Sequence, residues 1–115
     1  MSFQVKRVYE PASERDGQRV LVDALWPRGI SKSKAALAQW AREIAPSTAL
    51  RKEFHHDPAK WDEFRRRYFQ ELDTKPEAVA ELQALGKRRR VTLLYGARDE
   101  EHNNAVALLE YLRRH

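Results

Sequence analysis

Apolar positions along the chain follow two patterns, one suited to strands and one to helices with a single buried stripe. Residues 3–9 (FQVKRVY) alternate. Phe3, Val5 and Arg7 share one face and Gln4, Lys6 and Val8 the other, and the β-branched and aromatic content predicts a strand. The stretch from Glu10 to Gln18 is rich in turn formers and too short for a crossover helix, so a hairpin-like loop is expected. Residues 19–25 (RVLVDAL) form a nearly continuous apolar run around Asp23, as in a strand covered on both faces. Residues 91–95 (VTLLY) repeat that character.

Between these runs the period lengthens to that of a helix. Ser31 and Ser33 offer N-caps for a helical stretch through Ile44, burying Ala35, Leu37, Ala38, Trp40, Ala41 and Ile44. Pro46-Ser47 opens a short helix to His55, and Asp57-Pro58 supplies a cap followed by proline at the first helical position. In the helix that follows, Trp61, Phe64, Tyr68 and Leu72 recur every three or four residues and make a core-facing stripe. Pro76 starts another helix with Val79, Leu82 and Leu85 inward, which Gly86 is expected to end through a left-handed cap. Asp99 is expected to cap the last helix, with Glu100 and Glu101 at the positive end of its dipole and Arg113 and Arg114 at the negative end. Strands separated by helices imply parallel pairing of residues 19–25 with 91–95. The expected fold is a single-domain α/β protein over residues 1–115, a small open sheet with a parallel central strand pair flanked by helices.

The length of 115 residues suits one core, and 42% hydrophobic with 34% charged residues is globular composition. No apolar run reaches signal-peptide or membrane-spanning length, so the expected location is the cytoplasm and no membrane partner is expected. The absence of cysteine excludes disulfides, thiolate metal sites and thiol nucleophiles. A net charge of +5 favours anionic partners, whether nucleic acid, phosphorylated metabolites or an acidic protein.

The order RVLVDALWPRGISKSKA, Ala45-Pro46-Ser47, Leu50-Arg51, HHDPAKWDEFRRRY and VTLLYGARDEEHNNA resembles the YeaO-like family, domain of unknown function 488. The most specific segments are Leu25-Trp26-Pro27-Arg28-Gly29 and Asp99-Glu100-Glu101-His102-Asn103. The resemblance implies an α/β fold in a bacterial cytoplasmic protein and supplies no activity. Where such proteins usually carry an arginine between the strand's aspartate and the next leucine, this chain has Ala24.

Both buried strands run into a loop and then a helix. Parallel strands would bring WPRGIS and GARDEEHN together at the carboxyl ends, where open α/β sheets form ligand crevices. Arg28 and Arg98 would flank that cleft as receptors for phosphate or carboxylate, with Gly29 and Ser31 at the helix start. Arg28 could instead pair structurally with Asp23 or Glu43. Asp23, the one carboxylate in its strand, is either paired or poised for proton transfer, with His102 as its catalytic counterpart. His102 is expected at the third helical position, where the dipole favours neutral imidazole. Asn103 would orient a ligand or cap the turn, and Trp26 and Tyr95 would stack on a planar ligand or pack in the core. Gly17, Gly29 and Gly96 match no dinucleotide or P-loop pattern, so no cofactor is expected, and the histidine spacings support no metal.

The leading expectation is a site for a small anionic, phosphorylated or nucleotide-like molecule. The first alternative is a nucleic-acid-binding or regulatory module acting through Arg65-Arg66-Arg67 and Lys87-Arg88-Arg89-Arg90. The second is a protein-interaction domain meeting its partner around Trp40 and Trp61.

Overall fold

The computed structural model describes residues 2–115. Its centre is β4 (Arg90–Tyr95), buried throughout after Arg90. β1 (Ser2–Arg7) lies on one side of it and β2 (Gln18–Leu21) on the other. β3 (Gln39–Trp40) forms the far edge beyond β2, giving the order β1-β4-β2-β3 with every pair parallel. Val5 and Val20 both stand opposite Leu93. A strand apolar on both faces belongs in the middle of a sheet, and β4 takes that place.

Four helices cover one face of the sheet. They are α2 (Thr48–Phe54), α3 (Trp61–Asp73), α4 (Pro76–Arg88) and α5 (Asn104–Arg114). α3 buries Phe64, Tyr68 and Leu72 and α4 buries Val79 and Leu82 as their spacing predicts, while α2 adds Leu50 and Phe54 and α5 adds Ala105, Leu108 and Leu112, in one core with Val20, Val91 and Leu93. Ser47 caps α2, and Asp57 caps the short turn Pro58–Lys60 that leads into α3.

The opposite face is thinner. Val8, Leu21, Ala35 and Leu94 form a small second core that Trp26, Ile30, Leu37 and Trp40 border. Over the rest of this face runs the connection from β1 to β2. The expected hairpin is not formed, because β4 stands between the two strands and both are parallel to it. Instead the chain returns across Gln4, Lys6 and Thr92, polar positions that a covered sheet face must satisfy. Gln4 donates to Thr92 Oγ1 at 2.8 Å and Thr92 Oγ1 to the Asp16 carbonyl at 2.7 Å. The buried Asp16 carboxylate accepts from Lys6 Nζ at 3.1 Å and Arg19 NH1 at 2.5 Å. Burial pushes the Asp16 carboxyl up, but hydrogen bonds from Ser13 N, Lys6 and Arg19 outweigh it and hold the carboxyl below its ordinary value. Gly17 closes the return at a φ of 64°, with its backbone so near Arg90 that a side chain would strike that carbonyl.

Four other expectations change. The run 19–25 leaves the sheet after Val22, whose N–H still bonds the Leu94 carbonyl, and Leu25 is 63% exposed. The helix foreseen through Ile44 is one turn, α1 (Lys32–Ala35), capped by Ser31 and ended by left-handed Ala36. The chain then pairs with β2 as β3, since the Ala38 and Ala41 N–H groups reach the Arg19 and Leu21 carbonyls. Gly86 does not end α4, which continues to Arg88. It is a flat spot on which the Phe3 ring rests, an ideal Cβ there lying 2.3 Å from Phe3 Cζ. Finally, α5 begins at Asn104 with Asn103 as its cap, four residues beyond the expected start.

Candidate functional site

The carboxyl ends of β2 and β4 do converge with the start of α5, and Asp23 is the knot between them. Its Oδ2 accepts the Gly96 N–H at 2.8 Å, one residue past β4. Asn104, in the first turn of α5, donates from Nδ2 to the Val22 carbonyl at 3.0 Å. Burial pushes the Asp23 carboxyl above its ordinary value, and the Gly96 N–H, Asn104, Arg51 and His56 pull it back only in part. This carboxylate ties the ends of two strands together.

Beside Asp23 is a cavity of about 50 Å³ lined by Pro46, Arg51, Phe54, His56, Phe64, Asn103 and Asn104. Arg51 reaches it from α2. Leu50 and Phe54, four residues apart, face the core, so Arg51 falls on the flank toward α5. Its NH2 makes a long 3.4 Å contact with Thr48, while its Nε is buried without a partner among the described residues. His56 follows from an unusual backbone. His55 and His56 both adopt left-handed conformations, with φ of 44° and 53°, which cost non-glycine residues about 1–2 kcal/mol each. The turn sets the His56 ring 6.1 Å from that of Phe54.

Asn103 is buried and fully used. Its Oδ1 caps α5 by accepting the Val106 N–H at 3.0 Å, and its Nδ2 donates to the Asp99 carbonyl at 2.9 Å. Tyr95 is also buried. Burial first, then Glu100 and Glu10, raises its phenol above the ordinary value.

Asp99 caps a separate turn, not the helix. Its Oδ1 accepts the N–H groups of Glu101 and His102 at 2.9 Å each, and its Oδ2 meets His102 Nδ1 at 2.9 Å. Those backbone donors, followed by the imidazole, hold the Asp99 carboxyl below its ordinary value. His102 therefore precedes the helix, and the dipole argument for a neutral ring gives way to a carboxylate partner. Its ring meets Trp61 edge-on at 5.4 Å. No hydrogen bond or ion pair joins it to Asp23.

The remaining foreseen residues lie elsewhere around this end of the sheet. Trp26 donates to the Ile30 carbonyl at 2.9 Å and packs edge-on against Trp40 at 5.4 Å, within the second core. Gly29 adopts a φ of 74° in the loop before α1. The side chains of Arg28 and Arg98 are exposed, neither has an ion-pair partner among the described residues, and the Arg28 carbonyl accepts from Tyr9 at 2.8 Å. Arg7 holds the loop after β4, donating to the Ala97 carbonyl at 2.9 Å and crossing the Tyr9 ring.

The basic runs are differently employed. Arg65 pairs with Glu110 of α5 at 2.8 Å and Arg67 with Glu53 of α2, while Arg66 pairs with Glu63 within α3 at 3.1 Å, so each arginine of the first run has a carboxylate partner. The second run joins the end of α4 to the start of β4, at the end of the sheet away from Asp23.

The fold and this arrangement can be set against known proteins. A family model described as the inactive DUF488-N3 subclade matches residues 2–115. The chain belongs to the DUF488 family. Family relatives are bacterial. The uncharacterised protein YeaO of Escherichia coli is 45% identical over 113 residues, covering 98% of each chain. The uncharacterised protein Rv3073c of Mycobacterium tuberculosis is 42% identical over 109 residues, 95% of this chain and 92% of its own. No solved structure matches significantly. No described helix is long and apolar enough to cross a membrane.

Arg51 has no chemical role in the expectations from the sequence, and His56 figures there only with His55 and Asp57 as a metal candidate that diverging side chains disfavour. The signal was present in the helical spacing around Leu50 and Phe54 and in the cap at Asp57, which leaves the two preceding histidines to make the turn.

Proposed function

We propose that this protein binds a small anionic molecule at the carboxyl ends of β2 and β4 and does not transform it. The observation that carries this reading is Arg51, a guanidinium on the wall of a 50 Å³ cavity whose buried Nε has no partner among the described residues. An unsatisfied buried donor carrying charge is costly, and a carboxylate or phosphate oxygen is its natural acceptor. The strained His55–His56 turn adds a second group able to carry positive charge at the same wall. A volume of 50 Å³ exceeds the roughly 30 Å³ share of one liquid water and suits a head group, not an entire nucleotide.

Binding without turnover fits the state of the two residues that would form an acid–base pair. Asp23 accepts the Gly96 N–H, and His102 is engaged with Asp99 and Trp61. The matching family model is itself described as inactive.

The test is thermal unfolding with acetate and phosphate at fixed ionic strength. Anion at about one hundred times its dissociation constant should stabilise the native state by about 2.7 kcal/mol. Arg51→Gln should abolish that gain while leaving the anion-free stability within about 1 kcal/mol of the parent. The reading is overturned if neither anion stabilises the protein, or if the variant responds as the parent does.

A further inference from the structure

We propose that the protein pairs with a second copy of itself through β1, two antiparallel β1 strands joining both sheets into one. The sheet has two edges, and they differ. β3 is two residues long, too short to template another strand. β1 runs for six residues, Ser2–Arg7, contains no proline, and pairs with β4 in unbroken register. Successive residues of a strand turn their main-chain groups to opposite sides. The Val8 N–H bonds the Tyr95 carbonyl, so Gln4 and Lys6 also face β4 while Phe3, Val5 and Arg7 face outward. The Arg7 N–H is closed off by Glu10 Oε2 at 3.2 Å. No hydrogen bond among the described residues reaches the N–H or carbonyl groups of Phe3 and Val5.

Open edges are ordinarily guarded by charged side chains. Here both cations of β1 are drawn back onto their own chain. Lys6 Nζ is held by the Asp16 carboxylate at 3.1 Å and the Pro11 carbonyl at 2.8 Å, and Arg7 by the Ala97 carbonyl at 2.9 Å. A second copy is the occupant because the edge is complementary to itself. A two-fold axis at Gln4 sets Phe3 opposite the partner's Val5 and Val5 opposite the partner's Phe3, each pair exchanging N–H and carbonyl groups. Both free rungs are then used, and the pairing ends where Glu10 caps Arg7. An axis at Val5 would instead oppose Phe3 to an arginine whose N–H is taken. With the axis at Gln4, Lys6 meets the partner's Ser2, so no like charges oppose. On the helix side Phe3 and Val5, each half-buried at the rim of the main core, cover one another across the axis.

Sedimentation equilibrium from micromolar to millimolar protein tests the pairing. The parent's mass should rise toward twice the 13.5 kDa of one chain. Val5→Pro deletes an N–H that its own chain does not use, and proline is tolerated on an edge strand whose N–H faces solvent. It should weaken association at least about tenfold, because the axis repeats the lost bond in both copies. Gln4→Lys and Gln4→Glu each set like charges face to face across the axis, so either variant alone should be monomeric. An equimolar mixture of the two should dimerise again, a rescue expected only where residue 4 stands opposite its own copy. Should Val5→Pro fail to fold by circular dichroism, the charge pair decides the matter. A parent that stays monomeric at every concentration overturns the proposal. So does a dimer that survives the Gln4 variants, or a pair of folded Gln4 variants that remains monomeric when mixed.

Discussion

The sharpest test of the packing is the addition of one methyl group at Gly86. A Cβ there would lie 2.3 Å from Phe3 Cζ, 2.5 Å from Cε2 and 3.0 Å from Cε1. Carbon atoms in contact sit about 3.5–4.0 Å apart, so the ring must retreat by roughly 1 Å or more. Two effects compete. Alanine is favoured over glycine inside a helix by about 1 kcal/mol. Overpacking a well-filled contact costs about 1–3 kcal/mol. Phe3 is half-buried and its ring is the movable end of a side chain, which places the cost near the middle of that range. Gly86→Ala should therefore lose about 1 kcal/mol, or about 4 °C in melting temperature for a domain of this size. The same change made on a Phe3→Ala background has no ring to displace and should gain about 1 kcal/mol through helix propensity alone. The double-mutant cycle thus predicts a sign reversal and a coupling of about 2 kcal/mol, read from urea midpoints of the four proteins. If Gly86→Ala stabilises both backgrounds equally, the ring does not rest on the glycine and the account of α4 against β1 is wrong.

Two carboxylates should respond to pH in opposite directions. The Asp16 carboxyl is held below its ordinary value, so its stabilisation is present above the unfolded value near 3.8 and is lost as pH falls through the lower folded value. Asp16→Asn should cost about 3 kcal/mol at pH 7 by stranding Lys6 and Arg19, and should flatten stability against pH below 4 in urea titrations. A variant with the parent's acid profile refutes this role. The Asp23 carboxyl is raised by burial, so its ionisation opposes folding, a penalty absent below the unfolded value near 3.8 and complete above the folded one. Asp23→Asn keeps an acceptor for the Gly96 N–H and should leave stability at pH 7 unchanged or higher. A large loss by calorimetry would mean that the attraction of Arg51 and His56 outweighs desolvation.

Much of the fold was legible because single elements carry their own signals. Trp61, Phe64, Tyr68 and Leu72 mark α3 by spacing, Ser47 and Asp57 mark helix starts by their side-chain acceptors, and VTLLY marks a buried strand by its nearly continuous apolar run. What escaped depends on residues far apart in the chain. Gly86 reads as a helix end until Phe3, from the other end of the sequence, is seen lying on it. Gln39-Trp40 is too short to show a period and becomes a strand only by reaching β2. Asp99 and Asn103 are both good caps four residues apart. Asp99 closes a local turn on Glu101 and His102, which leaves Asn103 to begin the helix. At the site, the convergence of Asp23 with the start of α5 follows from the parallel pairing of β2 with β4. Arg51 and His56 have local signals in the spacing of α2 and the cap at Asp57, but their meeting with Asp23 depends on where α2 is seated, a tertiary event.

The central position of β4 also bears on how the chain is made. β1 and β2 both take their hydrogen-bonding partner from residues 90–95, so a nascent polypeptide has most of its sheet unpaired until translation is nearly over. At about 5–20 residues per second that is an interval of several seconds. During it the β2–β3 contact, two residues long, is the only strand pairing among the described residues that the emerging chain can form. A ribosome that stops short of residue 90 releases two strands whose common partner was never synthesised, a natural substrate for chaperones and proteases.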